Sequence, residues 1–155
     1  MLCTGTGCVA GGALKLKTSL EQEIARQALQ GRVSIVATGC NGFCGQGPLM
    51  VVAPDSTFYG WLKPDDVPRL VQEHLVNGQP VEALMYASPD TGKPIASVAD
   101  IPFFQRQQLI VLRNKGVIDP ERIEDYLVRD GYVALQKALA SMTPDEVVNE
   151  VARAG

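Results

Sequence analysis

Histidine is nearly absent from this chain: His74 is the one example among 155 residues. That leaves little material for histidine-rich metal sites or for Ser–His–Asp chemistry. An excess of one charge sign is also missing. The formal net charge is −3 and no basic patch stands out, so nucleic acid is not expected as a partner. No apolar run approaches the ~20 residues that span a bilayer, so no transmembrane segment is expected. The opening Met1-Leu2-Cys3-Thr4-Gly5 has no basic region followed by an apolar stretch, unlike a secretory signal. The expected location is the cytoplasm, where structural disulfides are rare. Hydrophobic residues still make up 46% of the chain, enough for a core in one domain or two small modules.

Cysteine is scarce as well, but its placement carries the chemistry. Cys3 and Cys8 form a C-x4-C pair, and Cys40 and Cys44 form a C-x3-C pair. Gly5, Gly7, Gly39, Gly42, Gly45 and Gly47 bracket them. Such glycines let the backbone turn tightly and come close to a ligand, and loop N–H groups can point at sulfur. Gly5, Gly7, Gly39, Asn41, Gly42 and Gly45 are therefore candidate cofactor contacts, and the four cysteines are candidate metal ligands. Four readings stand open at this point. A two-plus-two thiolate set suits an iron–sulfur cluster, and the pairs also allow structural zinc. Ordinary buried thiols are a third reading, although all four cysteines lie in glycine-rich loops and none on an apolar stripe. A thioredoxin-type redox pair would need C-x-x-C, which neither pair has. Two separated pairs suit a rhombic [2Fe–2S] centre, each pair holding one iron.

The spacing of apolar residues predicts a helix from Ala13 to about residue 29, with Leu16, Leu20, Ile24 and Ala28 on one face and Gly31 near its end. Strands are predicted over residues 33–37, 49–53 and 57–62, the last two as a hairpin around Pro54-Asp55-Ser56. A second helix follows from about Asp66, with Val67, Leu70, Val71, His74 and Leu75 as its stripe. The expected fold class is α/β: a small sheet with two helices, both cysteine loops at one end. Residues 77–102 carry Asn-Gly, Ser-Pro-Asp and scattered proline, which reads as linker chemistry. The expected domains are 1–78, a linker over 79–102, and a mostly helical connector over 103–155. In that connector Asp119-Pro120 looks like a helix start, and Thr143-Pro144-Asp145-Glu146 looks like a capping box.

The cysteine pattern, with 31 residues between the pairs, resembles the thioredoxin-like [2Fe–2S] ferredoxin domains. The second half adds to this. Residues 108–114, Gly116-Val117-Ile118-Asp119-Pro120, Gly131-Tyr132, Lys137-Ala138-Leu139 and residues 142–146 are similar to the opening of the NADH-binding flavoprotein subunit of respiratory complex I. The fusion resembles the β subunit of cytoplasmic NAD(P)-linked [FeFe]-hydrogenases and electron-bifurcating dehydrogenases. That resemblance implies an electron-transfer module with a [2Fe–2S] cluster on Cys3, Cys8, Cys40 and Cys44. It implies partners among ferredoxin-like and hydrogenase or dehydrogenase subunits. FMN, NAD(P)H and [4Fe–4S] sites would lie in a downstream region that this chain does not contain, so no catalytic residue is expected here. The alternative is a zinc-bound or metal-free docking domain. Two departures from the family stand out: only two residues precede Cys3, too few for an ordinary strand, so the sheet is expected to lack an edge or central strand. Lys115 also stands where relatives often have cysteine.

Other residues read more plainly. His74 is expected to pack on the core side, and Phe58, Tyr59 and Trp61 to fill the hairpin's share of the core. Asp65 and Asp66 read as helix capping. Glu121, Glu124 and Asp125 read as a solvated face. Phe103 and Phe104 either anchor a following domain or pack locally.

Overall fold

A strand of two residues lies at the centre of the sheet. β1 (Leu2–Cys3) runs parallel to β2 (Ala37–Thr38) and antiparallel to β3 (Met50–Val52), which pairs antiparallel with β4 (Thr57–Tyr59). The order is β2-β1-β3-β4. The expected loss of a strand is thus corrected. Leu2 is fully buried, its N–H donates to Val36 O at 2.8 Å, and Cys3 N–H donates to Leu49 O at 3.1 Å. Two residues suffice because both neighbours hydrogen-bond to them. The shortness propagates, however. Regular pairing with β1 is confined to Ala37–Thr38, so most of the strand expected over 33–37 lies outside the sheet ladder. Val33 and Ile35 instead border a cavity of about 320 Å³ with Met1, Leu20, Ile24, Val52 and Leu75.

The computed structural model describes every residue from Met1 to Gly155. They fall into two compact units, Met1–Asp119 and Pro120–Gly155. In the first, strand alternation divides the core in two. Leu2, Met50 and Tyr59 pack with Leu16, Leu20, Ile24, Leu70 and Val71. Cys3, Val51 and Phe58 pack with Cys8, Leu49 and Ile101 on the other side.

α1 (Thr6–Ala10) is a short turn of helix carrying Cys8. α2 (Ala13–Arg26) buries Ala13, Leu16, Leu20 and Ile24, the spacing that predicted it. It ends three residues earlier than expected. Leu29 N–H returns to Ile24 O and Ala28 N–H to Ala25 O, which closes a Schellman motif. The left-handed residue of that motif is Ala28, at φ 53, rather than Gly31. The second helix starts as a turn at Pro64–Asp66, continues as α3 (Val67–Leu70) and widens to a π-helical stretch over Val71–Val76. Asp66 accepts Lys63 N–H at 2.8 Å, so it caps as expected. His74 is buried on the core side, with Nδ1 2.8 Å from Tyr59 Oη and Nε2 3.4 Å from Asp55.

Residues 79–102, expected as a linker, are built into the first unit. Val81 and Ile101 are buried. β5 (Tyr86–Ala87) and β6 (Pro94–Ile95) form a hairpin closed by Ser88 and Gly92, and both arms bridge to β4 at Met85 and Ser97. Its proline and glycine make a hairpin turn, a use composition does not separate from a linker. α4 (Pro102–Gln105) follows.

The second unit holds α5 (Ile123–Val128), α6 (Val133–Ser141) and α7 (Pro144–Ala154). Asp119-Pro120 does not start a helix; Arg122 is still extended and α5 begins at Ile123. Glu124 and Asp125 lie in the first turn of α5, where the helix dipole favours them, and Arg122 approaches both at 3.9 Å. The capping box of α7 forms as predicted: Glu146 N–H donates to Thr143 Oγ1 at 3.3 Å and Thr143 N–H to Glu146 Oε2 at 2.7 Å. No helix in either unit is long and apolar enough to cross a membrane.

Candidate metal centre

Parallel pairing of β1 with β2 brings the two cysteine loops to one end of the sheet. Cys3 ends β1 and Cys8 lies one helical turn beyond it in α1. β2 ends at Thr38, two residues before Cys40. Thr4 ties the loops together, since its N–H and hydroxyl both donate to Thr38 O, at 3.0 and 2.8 Å.

The loops touch where glycine permits it. A Cβ on Gly5 would lie 2.7 Å from Cys40 Cβ, and one on Gly47 would lie 2.8 Å from Cys8 Sγ. Any side chain there would drive the cysteines apart. Gly7 stands 3.3 Å from Cys44 Sγ by the same measure. Gly39 and Gly45 have open space around them, so nothing steric calls for glycine there. Gly42 has φ 77, and its N–H donates to Cys40 Sγ at 3.3 Å. Asn41 is buried, with its side-chain amide against Gly116.

The four thiols form an inner and an outer pair. Cys3 and Cys8 are buried; Cys40 and Cys44 are exposed, with their sulfurs 3.8 Å apart. Burial, then the hydrogen bond and charge of Cys3, push the Cys8 thiol up to about 12. Cys44 is raised chiefly by its hydrogen bond to Cys40 and by that neighbour's charge. Crowded thiols resist ionisation without a counter-charge, and a bound metal supplies that charge. No three His, Cys, Asp or Glu side chains are placed to hold a single metal ion. A two-iron centre spreads its four donors over two irons, so it needs two pairs rather than one tetrahedral group.

The outer loop is braced by aromatic rings. Phe43, between Cys40 and Cys44, stacks on Phe103 at 4.6 Å and 7°. Phe104 and Tyr86 meet its edge at 5.4 and 5.3 Å. Phe103 and Phe104 therefore pack locally. Phe58 and Tyr59 are fully buried as expected, but Trp61 is not core: it is 63% exposed, at φ 50. Its indole N–H donates to Gly45 O at 2.8 Å and its backbone N–H to Gln46 O at 2.7 Å. Sequence reasoning passed over Phe43, although it is an aromatic inside the second cysteine loop. It noted Lys115 only as standing where relatives often have cysteine, and no local pattern could have linked Lys115 to Gly42, 73 positions earlier.

Residues 1–75 match the thioredoxin-like [2Fe-2S] ferredoxin family. A 2Fe-2S ferredoxin of Clostridium pasteurianum is 34% identical over 77 residues, half of this chain and 76% of that protein. The chain belongs to the thioredoxin-like [2Fe–2S] ferredoxin family. A 2Fe-2S ferredoxin of Aquifex aeolicus is 47% identical over 60 residues, 39% of this chain, and the chain spans about half (51%) of its length. A crystal structure of a thioredoxin-like [2Fe-2S] ferredoxin from Aquifex aeolicus superposes with a TM-score of 0.51 and 29% identity, covering 56% of this chain and 93% of that one. The "NADP-reducing hydrogenase subunit HndC" of Solidesulfovibrio fructosivorans is 51% identical over 51 residues, a third of this chain and 10% of that protein. As a ferredoxin of this family the chain is an electron carrier with a [2Fe–2S] cluster. The residues present fit that group: four sulfurs in two pairs, a backbone N–H aimed at one of them, and glycines where the loops meet.

Proposed function

We propose that this chain passes single electrons inside a multi-subunit NAD(P)H-linked oxidoreductase or hydrogenase, with Cys3, Cys8, Cys40 and Cys44 as the cluster ligands. The observation that carries the reading is the meeting of two thiol pairs, one buried and one exposed, in touching glycine loops. When bound, the cluster supplies a one-electron carrier. The chain's residues do the rest. Cys3 and Cys8 anchor the group against the core beside Leu49 and Phe58. Cys40 and Cys44 face solvent and form the side through which electrons enter and leave. Gly42 N–H stabilises sulfur charge, and the rings on Phe43 hold the outer loop still. Gly5 and Gly7, at the inner loop, keep the approach to the outer pair open.

Residues 103–155 read as the start of an NADH-binding flavoprotein module, with FMN, NAD(P)H and [4Fe–4S] sites in a downstream region. Their exposed apolar side chains support a docking role: Leu139 is 80% exposed and Val151 68%. Partners are then hydrogenase or dehydrogenase and ferredoxin-like subunits. Four free thiols agree with the cytoplasm as the location.

The test is an EPR spectrum of anaerobically purified protein after dithionite reduction, with iron and acid-labile sulfide assayed on the same sample. About two irons and two sulfides per chain with a rhombic signal support the reading. Zinc in place of iron moves the function to a docking domain. Cys40→Ser is expected to alter or abolish the visible chromophore, and an unchanged spectrum removes Cys40 from the ligand set.

A further inference from the structure

Residues 107–117 return to the outer cysteine loop, and they bring Lys115 to it. The Lys115 ammonium lies 3.0 Å from the position a Cβ on Gly42 would take. Gly42 sits between Cys40 and Cys44, and its N–H donates to Cys40 Sγ at 3.3 Å. The ammonium is steadied by Gln107 Oε1 at 3.5 Å. The next residue, Gly116, has φ 72 and lies against the Asn41 side chain, so the segment meets the loop at two successive positions. Lys115 is half-buried, and together with Asn41, Phe104 and Gly116 it lines a cavity of about 330 Å³ beside the loop. This cation therefore stands at the loop.

An electron arriving at the cysteine site adds a negative charge there. A fixed cation nearby lowers the free energy of the reduced state more than that of the oxidised state, and partial burial weakens the screening of that effect by solvent. Charge and hydrogen bonding around the sulfurs are the levers by which a protein moves a cluster's potential. We propose that Lys115 holds the reduction potential of the site above the value its thiolates and backbone alone would set. The proposal rests on Cys40 and Cys44 being ligands. It gives the segment after α4 a part in electron transfer besides its part in packing.

The experiment is an EPR-monitored redox titration of the whole chain at low ionic strength, with dithionite supplying the electrons. Lys115→Arg, Lys115→Gln and Lys115→Glu are compared with the parent. The midpoint is expected to follow charge: arginine close to the parent, glutamine lower and glutamate lowest. The spread should shrink as salt is raised, because mobile ions screen the lysine. Equal midpoints for the arginine and glutamine variants, or an order that ignores charge, overturn the proposal. If the glutamate variant does not load, the arginine–glutamine pair decides. Iron and sulfide assays on each sample separate the two possible failures. A parent without iron refutes the ligand assignment and this proposal with it; a loaded parent with charge-independent midpoints refutes only the role of Lys115.

Discussion

Residues 1–119 and 120–155 are alike in apolar content but unlike in its use. In the first unit Leu2, Leu16, Leu49, Phe58, Tyr59, Val71 and Ile101 lose essentially all contact with water. In the second no hydrophobic side chain is buried, and Ile123, Leu127, Leu135, Leu139, Val148 and Val151 are each at least half exposed. Helix formation does not explain the difference, since α6 and α7 are regular and α7 is capped at both Thr143 and Glu146. What the second unit lacks is another layer to close on, because helices gain most of their stability from packing an apolar face. The first unit has such layers on both sides of its sheet. α2 and α3 cover one side, and the hairpin β5–β6 with α4 covers the side that holds Cys3 and Cys8.

That contrast can be broken hardest at the core. Phe58→Ala should destabilise the first unit by about 3–5 kcal/mol, whereas Leu139→Ala should change stability by less than about 0.5 kcal/mol. Urea unfolding followed by circular dichroism checks both, and equal costs would mean the second unit has a core of its own. Phe103→Ala comes next. Loss of the ring stacked on Phe43 should cost about 1 kcal/mol and change the visible circular dichroism of the cysteine site, while far-ultraviolet signal stays the same.

A smaller effect of opposite sign is expected at the end of α2. Ala28→Gly relieves a left-handed alanine, and after the extra backbone entropy glycine loses on folding it should raise stability to urea by about 0.5 kcal/mol. The smallest effect sharpens the comparison by pH. Hydrogen bonds from Arg26 and then Gln27 hold the Glu23 carboxyl down at about 2. A carboxyl depressed on folding contributes stability that is present above its ordinary value and lost as pH falls through the folded value. The Glu23→Gln variant should therefore be less stable than the parent near pH 6, and the gap should narrow as the pH falls from about 4.5 toward about 2. A constant gap in urea midpoints across that range would show that Glu23 acts only through shape.

Much of this was legible in residue order. Helix α2, the strand pair β3–β4 and the capping box at Thr143 follow from spacing and cap chemistry, which act within a few residues. The meeting of the two cysteine loops at one end of the sheet, and their close passage at Gly5 and Gly47, were legible because tight loops need glycine. Other features turned on partners remote in sequence. Two residues make a central strand only because Val36 and Leu49 lie on either side of them. A proline-rich stretch becomes a wall of the core only because β4 offers Met85 and Ser97 an edge.

By itself, then, the sequence determined the chemistry of the site: thiols in two pairs, glycines where the chain must pass closely, and the local helices and turns that carry them. Tertiary structure alone decided which pair is buried, that Phe43 is stacked under Phe103, and that Lys115 stands over Gly42. The physical reason is range. Backbone preference and capping act across a turn of chain, whereas burial, stacking and an approaching charge depend on segments that meet only when the fold closes.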